Sequence, residues 1–177
     1  MKYDAGYITH YVLDYDPGVP KGIFIGSVVA MCGTVLVLSI AKADRPVLVR
    51  NTSLVCAGLY ALLVLGVTVL SRSSSPESTV ILRPFWSYAV LYNRLLAELI
   101  LNVLLFIPLG FLVGGANIGF LKACAAGCGL SIAIEVTQWL TQRGICNIDD
   151  VIHNTIGCAL GYGILRLGSF VMTACVR

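Results

Sequence analysis

The chain has 177 residues, of which 58% are hydrophobic and 12% charged, and its mean hydropathy is +0.88. Soluble domains carry about 25% charged residues, so this composition excludes a water-covered globular surface and requires lipid around most of the chain. The net charge of +3 is spread along the sequence, with no basic run and no aromatic-basic interleaving, so a nucleic-acid partner is not expected.

Residues 1–20 form an aromatic, acidic lead-in. Tyr3, Tyr7, His10, Tyr11 and Tyr15 alternate with Asp4, Asp14 and Asp16. Asp16-Pro17-Gly18 and Pro20 then break any helix. The segment is too acidic and too long for the start of a secretory signal. Ala41-Lys42-Ala43 mimics a cleavage site, but the apolar run before it is too long for a signal core. That run, Gly22 to Ala41, is read as a first membrane span of about 20 residues, enough for roughly 30 Å of hydrocarbon. A connector over 42–52 carries Lys42, Asp44, Arg45, Pro46 and Arg50. Span two is Ser53 to Leu70.

The longest polar connection, 71–93, opens with serines around Arg72 and contains Glu77. Its second half, Leu82-Arg83-Pro84-Phe85-Trp86-Ser87-Tyr88, is aromatic and suits headgroup depth. Phe85-Trp86 reads as a membrane anchor. Span three runs from Leu95 to Ala116, with Glu98 and Asn102 near its start. Pro108 removes a helix hydrogen bond in its middle, which predicts a kink. Gly110, Gly114 and Gly115 leave room for a close neighbour. A tight turn, Asn117 to Gly119, precedes span four, Phe120 to Leu140, whose first half holds Ala125, Ala126, Gly127 and Gly129. Span five is Val151 to Phe170, where Gly157 and Gly161 form a small-xxx-small pair.

These segments predict an all-α integral membrane protein, one membrane domain over 1–177 built as a bundle of about five transmembrane helices. An odd number of spans puts the termini on opposite sides. The short connector after span one is densely basic, and the positive-inside rule then places the N-terminus outside and the C-terminus in the cytoplasm. Six of the seven cysteines lie in apolar segments, where Cys behaves as a small hydrophobe. Cys124 and Cys128 share a helix face, but no His or acid completes a metal site. Neither a metal, a cofactor nor a disulfide framework is expected. The sequence does not set the oligomeric state.

The polar residues converge. On this topology the start of span three, the end of span four and the start of span five share the outer face. Glu98 and Asn102 are one helical turn apart, and Glu135, Gln138 and Gln142 share a stripe. Asp150 and Asn154 form another, with Asp149 and His153 beside them. Glu135 lies roughly 7 Å inside the end of its span. A lone carboxylate there costs on the order of 2.5 kcal/mol or more, so it needs a partner or a proton. Arg143 is the nearest cation in sequence; Arg83 and Arg94 are others. Any one of these residues could merely join or cap helices: Asp149 or Asp150 could cap span five, and Asn102 and Asn154 could tie spans three and five. Glu98, Glu135, Arg143 and Asp150 together, drawn from three spans, favour a site. His153 is a candidate general base. Ser131 and Thr137 near Glu135 form no recognisable nucleophile motif.

At these residues a resemblance appears. Asn102-x3-Phe106-x-Pro108-x-Gly110, then Glu135-x2-Gln138, Arg143, and Asp149-Asp150-x3-Asn154-x2-Gly157 resemble the VanZ-like family of bacterial membrane proteins. Leu82-Arg83-Pro84-Phe85 resembles the segment before its first motif. The resemblance covers roughly residues 80–165. One departure is Asn147, where the family often has an acid, which disfavours a mechanism needing a third carboxylate there. The resemblance implies a multi-pass protein of the bacterial cytoplasmic membrane. The family's founding member is linked to low-level resistance to the glycopeptide teicoplanin, and the family name supplies no reaction.

Three readings follow. In the first, a non-enzymatic envelope protein binds a lipid-linked or lipophilic ligand, such as a cell-wall precursor or the antibiotic, through Glu98, Asn102, Glu135, Gln138, Arg143, Asp149, Asp150 and Asn154. In the second, a membrane enzyme modifies an envelope lipid or precursor, with Glu135, Asp150 or His153 in acid/base roles and Arg143 on a phosphate. The third is a proton-coupled transporter using Glu135 and Glu98, disfavoured by the lack of an inverted repeat.

Overall fold

The computed structural model describes residues 21–41, 45–70, 72, 79–90 and 93–175. The lead-in 1–20 lies outside the described residues, as do Lys42, Asp44, Glu77 and Arg177. Long helices form at each of the five predicted apolar segments. Helix α1 is Lys21–Ala41 and α2 is Pro46–Leu65, continued by a π-helical turn, Gly66–Leu70. A two-residue strand β1 (Val80–Ile81) and a short helix α3 (Trp86–Val90) follow. Helix α4 is Asn93–Gly115, α5 is Phe120–Leu140, β2 is Cys146–Asn147, and α6 is Ile148–Cys175.

The all-α membrane class expected from composition holds. Pro46–Leu70, Ala97–Gly115 and Phe120–Leu140 are long and apolar enough to cross a bilayer, and Phe24–Ile40 is a shorter apolar helix. Helix α6 carries two acids, Asp149 and Asp150, in its first turn. Large apolar side chains, among them Leu62, Leu104, Ile132, Leu160, Ile164 and Leu167, point outward, where lipid would solvate them.

Several boundaries differ from the sequence expectation for local reasons. Helix α2 begins seven residues before Ser53, because Pro46 occupies the first helical turn, where its missing N–H costs nothing. Helix α4 ends with Asn117 in the left-handed region (φ 57°), its N–H bonded to the Gly114 carbonyl. Helix α5 ends in a Schellman arrangement. Gln142 is left-handed (φ 55°), Gln142 N–H donates to the Trp139 carbonyl, and Arg143 N–H donates to the Gln138 carbonyl at 2.8 Å. The paired strands were not expected. β1 and β2 run parallel, Val80 opposite Cys146 and Ile81 opposite Asn147, and pin the loop after α2 onto the α5–α6 turn.

The centre of the bundle is the α4–α6 seam, and glycines make it possible. A Cβ on Gly110 would run into the Cys158 carbonyl, one on Gly157 into the Val103 carbonyl, and one on Gly161 into the Ile107 carbonyl. Backbone thus meets backbone, as small residues allow. Pro108 lies inside continuous α4. Three residues before Pro108, next to the carbonyl that the proline leaves without its helix partner, the Leu105 carbonyl accepts a bond from the Tyr60 hydroxyl at 2.7 Å. Tyr60, Phe106, Leu112, Ile134 and Cys158 are fully buried around this seam.

Candidate functional site

The polar residues gather at one end of the bundle, where α4 begins, α5 ends and α6 begins. A period of four residues stacks them in layers. On α5 the column is Gly127, Ser131, Glu135; on α6 it is Cys158, Asn154, Asp150; on α4 it is Gly110, Phe106, Asn102, Glu98. The deepest layer is apolar: a Cβ on Gly127 would stand 2.7 Å from the Cys158 Cβ. One turn up, about 6 Å, Asn154 Nδ2 donates to Ser131 Oγ at 2.7 Å. In the outermost layer Glu135 and Asp150 lie within electrostatic reach of each other, and Asn102 donates a side-chain hydrogen bond to Asp150. Glu98 also faces Asp150. Of the four residues expected to converge, Glu98, Glu135 and Asp150 lie together, with Asn102 and Asn154 beside them, and Arg143 does not join them.

The cation beside this layer is not the one that sequence proximity suggests. Arg143 Nη1 donates to the carbonyls of Val69 (3.3 Å) and Leu70 (3.2 Å). Gln138 Nε2 donates to the Thr68 carbonyl at 2.9 Å. Both side chains satisfy the last carbonyls of the π-turn, which have no partner within their own helix. The charge facing both Glu135 and Asp150 belongs to exposed Arg72. Gly144 gives it room: a Cβ there would stand 3.2 Å from Arg72 Nη1. Arg83 is exposed, and the Arg94 side chain lies outside the described residues.

Asp149 has a different environment from Asp150. It is fully buried, and its carboxylate accepts the N–H of Phe85 and, at 2.9 Å, of Ser87. It thereby holds the left-handed Phe85 (φ 62°) and the first turn of α3 against α6. Asn147 is the N-cap of α6: its Oδ1 accepts Asp149 N–H at 3.1 Å, and its own N–H donates to Glu135 Oε2 at 2.8 Å. Asn147 Nδ2 further reaches Ser87 Oγ (3.3 Å) and Asp150 Oδ1 (3.5 Å). An acid in its place could accept the Asp149 N–H but could not donate to Asp150.

His153 is buried between two oxygens. Nδ1 lies 2.6 Å from the Asp149 carbonyl, which can only accept, so Nδ1 carries a hydrogen. Nε2 lies 2.6 Å from the Tyr88 hydroxyl. For a neutral imidazole the Tyr88 hydroxyl then donates to Nε2, and Tyr88 itself is 40% exposed. The Cys146 thiol, on the strand that joins the layers to the loop, is pushed above its ordinary pKa by burial and by the Glu135 and Asp150 carboxylates.

Arg72, Tyr88 and Ser131 are the participants that sequence reasoning did not select. Ser131 precedes Glu135 by one turn, a spacing that could have drawn it in. Arg72 and Tyr88 lie in a loop whose docking depends on the β1–β2 pairing, for which two residues of strand leave no periodic signal. Among the described residues no group of three His, Cys, Asp or Glu side chains is arranged to hold a metal ion.

The apolar bundle and its polar end define an all-α membrane protein with a buried acidic cluster at one helix terminus. The VanZ/LLP1 family model matches residues 57–170, and the chain belongs to that family. A relative, Protein VanZ of Enterococcus faecium, is 43% identical over 74 residues, 41% of this chain and 46% of the relative. The match thus spans under half the length of that curated relative. No solved structure matches the chain.

Proposed function

We propose that this protein crosses the bacterial cytoplasmic membrane several times, N-terminus outside. In this reading the acidic end of the bundle binds a lipid-linked or lipophilic ligand at the outer surface, and binding lowers susceptibility to teicoplanin. The observation that carries the ligand reading is the outermost layer. Glu135 and Asp150 stand together at the end of two helices, with Glu98 and Asn102 from a third, and exposed Arg72 as the cation facing both among the described residues. Both Asp149 oxygens are taken by backbone N–H groups, whereas one Glu135 oxygen accepts the Asn147 N–H and Asp150 accepts from Asn102 and Asn147, which leaves the Glu135–Asp150 pair acceptor capacity for a ligand.

Within this reading the eight candidate residues divide. Glu98, Asn102, Glu135 and Asp150 contact the ligand, and Asn154 lies beneath them. Gln138, Arg143 and Asp149 hold the walls. The membrane lipid, a lipid-linked wall precursor and the glycopeptide itself are the partners to test. Cells expressing the protein should show raised teicoplanin tolerance and altered surface-bound antibiotic. An E135A/D150A variant at equal membrane level should show neither; equal tolerance in the two would refute the reading.

A second reading, an enzyme acting on an envelope lipid or wall precursor, is favoured by one contact. The Tyr88 hydroxyl rests on His153 Nε2 while Nδ1 is fixed by a backbone carbonyl, the geometry of an oriented base. Lipid and precursor profiles of cells with and without the protein test this reading: a changed species that H153Q abolishes supports it, and unchanged profiles refute it.

A further inference from the structure

We propose that the Glu135–Asp150 layer takes the ammonium of an amine-bearing phospholipid head group, with Asn154 Oδ1 as the deepest acceptor and Arg72 meeting the phosphate outside. This deepens the ligand-binding reading and rests on it. Three observations carry it.

The first is the balance of donors and acceptors. Glu135 and Asp150 line the outermost layer, while Arg143, the cation that could have drawn an anion inward, is spent on the Val69 and Leu70 carbonyls. An anionic group in this layer would meet carboxylates; a cationic donor meets acceptors.

The second is Asn154. Its side chain is 3% exposed, its Nδ2 is bound to Ser131, and its Oδ1 has no hydrogen-bond partner. A buried amide oxygen without a donor is costly. Asn154 sits one turn below Asp150 on the same face of α6, and Ser131 sits one turn below Glu135 on α5. The orphaned acceptor is therefore in the layer directly beneath the carboxylates, where a donor entering between them would arrive. Beneath it the column closes with Cys158, Gly127 and buried Phe106.

The third is the position of Arg72. It is exposed, beyond the carboxylates, next to the side-chain-free Gly144. A zwitterionic head group has its phosphate on the acyl side of its ammonium. With the ammonium between the carboxylates, the phosphate stays outside them, where exposed Arg72 can pair with it. The outward apolar side chains of α5, including Ile132, Val136 and Trp139, offer the acyl chains a surface alongside.

Native mass spectrometry of the purified full-length protein in detergent tests this. The probes are phosphatidylethanolamine, N-acetyl-phosphatidylethanolamine and phosphatidylglycerol with identical acyl chains. A charge-assisted contact predicts retention of phosphatidylethanolamine about tenfold over the other two. D150N and N154L, each confirmed folded by its melting transition, should bring the ratio to within about twofold. Equal retention of the three lipids, or an unchanged ratio in both variants, overturns the proposal while leaving lipid binding intact. Retention of no lipid would remove the ligand-binding reading itself. Free ethanolamine should not displace the lipid at millimolar concentration; displacement would overturn the lipid as the source of the amine.

Discussion

Asp149 and Asp150 are adjacent in sequence and differ in what their oxygens do. Asp149 is closed off by two backbone N–H groups, whereas Asp150 faces Glu135, Glu98, Asn102 and Arg72. Removing Asp149 orphans two N–H groups in the α3 turn, so D149A should cost about 2 kcal/mol or more and lower the melting temperature in detergent. D150N should leave melting near that of the wild type and act on ligand binding instead; a D150N loss as large as that of D149A would contradict the division of labour. Cys146 reports on the same charges. Burial and, after it, the carboxylates raise its pKa and deplete the reactive thiolate at neutral pH. E135Q keeps an acceptor for the Asn147 N–H but removes a charge, which lowers the thiol pKa. Maleimide should then modify Cys146 faster in E135Q than in the wild type at pH 9, where the wild-type carboxyl is ionised, read by peptide mapping. An unchanged rate would mean that Glu135 carries no charge there.

At the level of elements, the α4–α6 seam and the end of α2 carry the fold. Gly161 packs against the Ile107 carbonyl, while Gly163, two residues on, has open space where a Cβ would be. G161L should cost at least about 1–3 kcal/mol because backbone cannot yield, and G163L should be near neutral, both read from thermal unfolding. Arg143 and Gln138 close the π-turn, so R143A should lower stability and function together. The glycines were legible in sequence because small-xxx-small spacing maps onto a helix face. The role of Arg143 was not, because its partners are the Val69 and Leu70 carbonyls, some seventy positions away in the chain and invisible to side-chain chemistry.

Taken as a whole, the molecule is a set of apolar helices whose polar ends are knitted by local caps and one two-residue strand pair. Apolar runs and their Gly and Pro punctuation predicted the helices, since lipid forces the backbone to satisfy itself within each segment. The stripe spacing predicted the meeting of Glu98, Glu135 and Asp150, and it also drew in Arg143, which turns to the Val69 and Leu70 carbonyls instead. Arg72, Tyr88 and the capping role of Asn147 depend on how a non-periodic loop docks, which no spacing rule encodes. On the proposed orientation Cys146 is at the outer face, so a membrane-impermeant maleimide should label it in intact cells; labelling only after lysis would reverse the orientation. The central claim is that the Glu135–Asp150 layer exists for a ligand and not for the fold. Its most direct test is teicoplanin susceptibility of cells carrying E135Q/D150N, a nearly isosteric change, beside wild type at matched membrane level and with melting measured on both purified proteins. The account predicts a melting temperature close to wild type and loss of the tolerance that the wild-type protein confers; full tolerance in the variant, or unfolding in place of a selective loss, would contradict it.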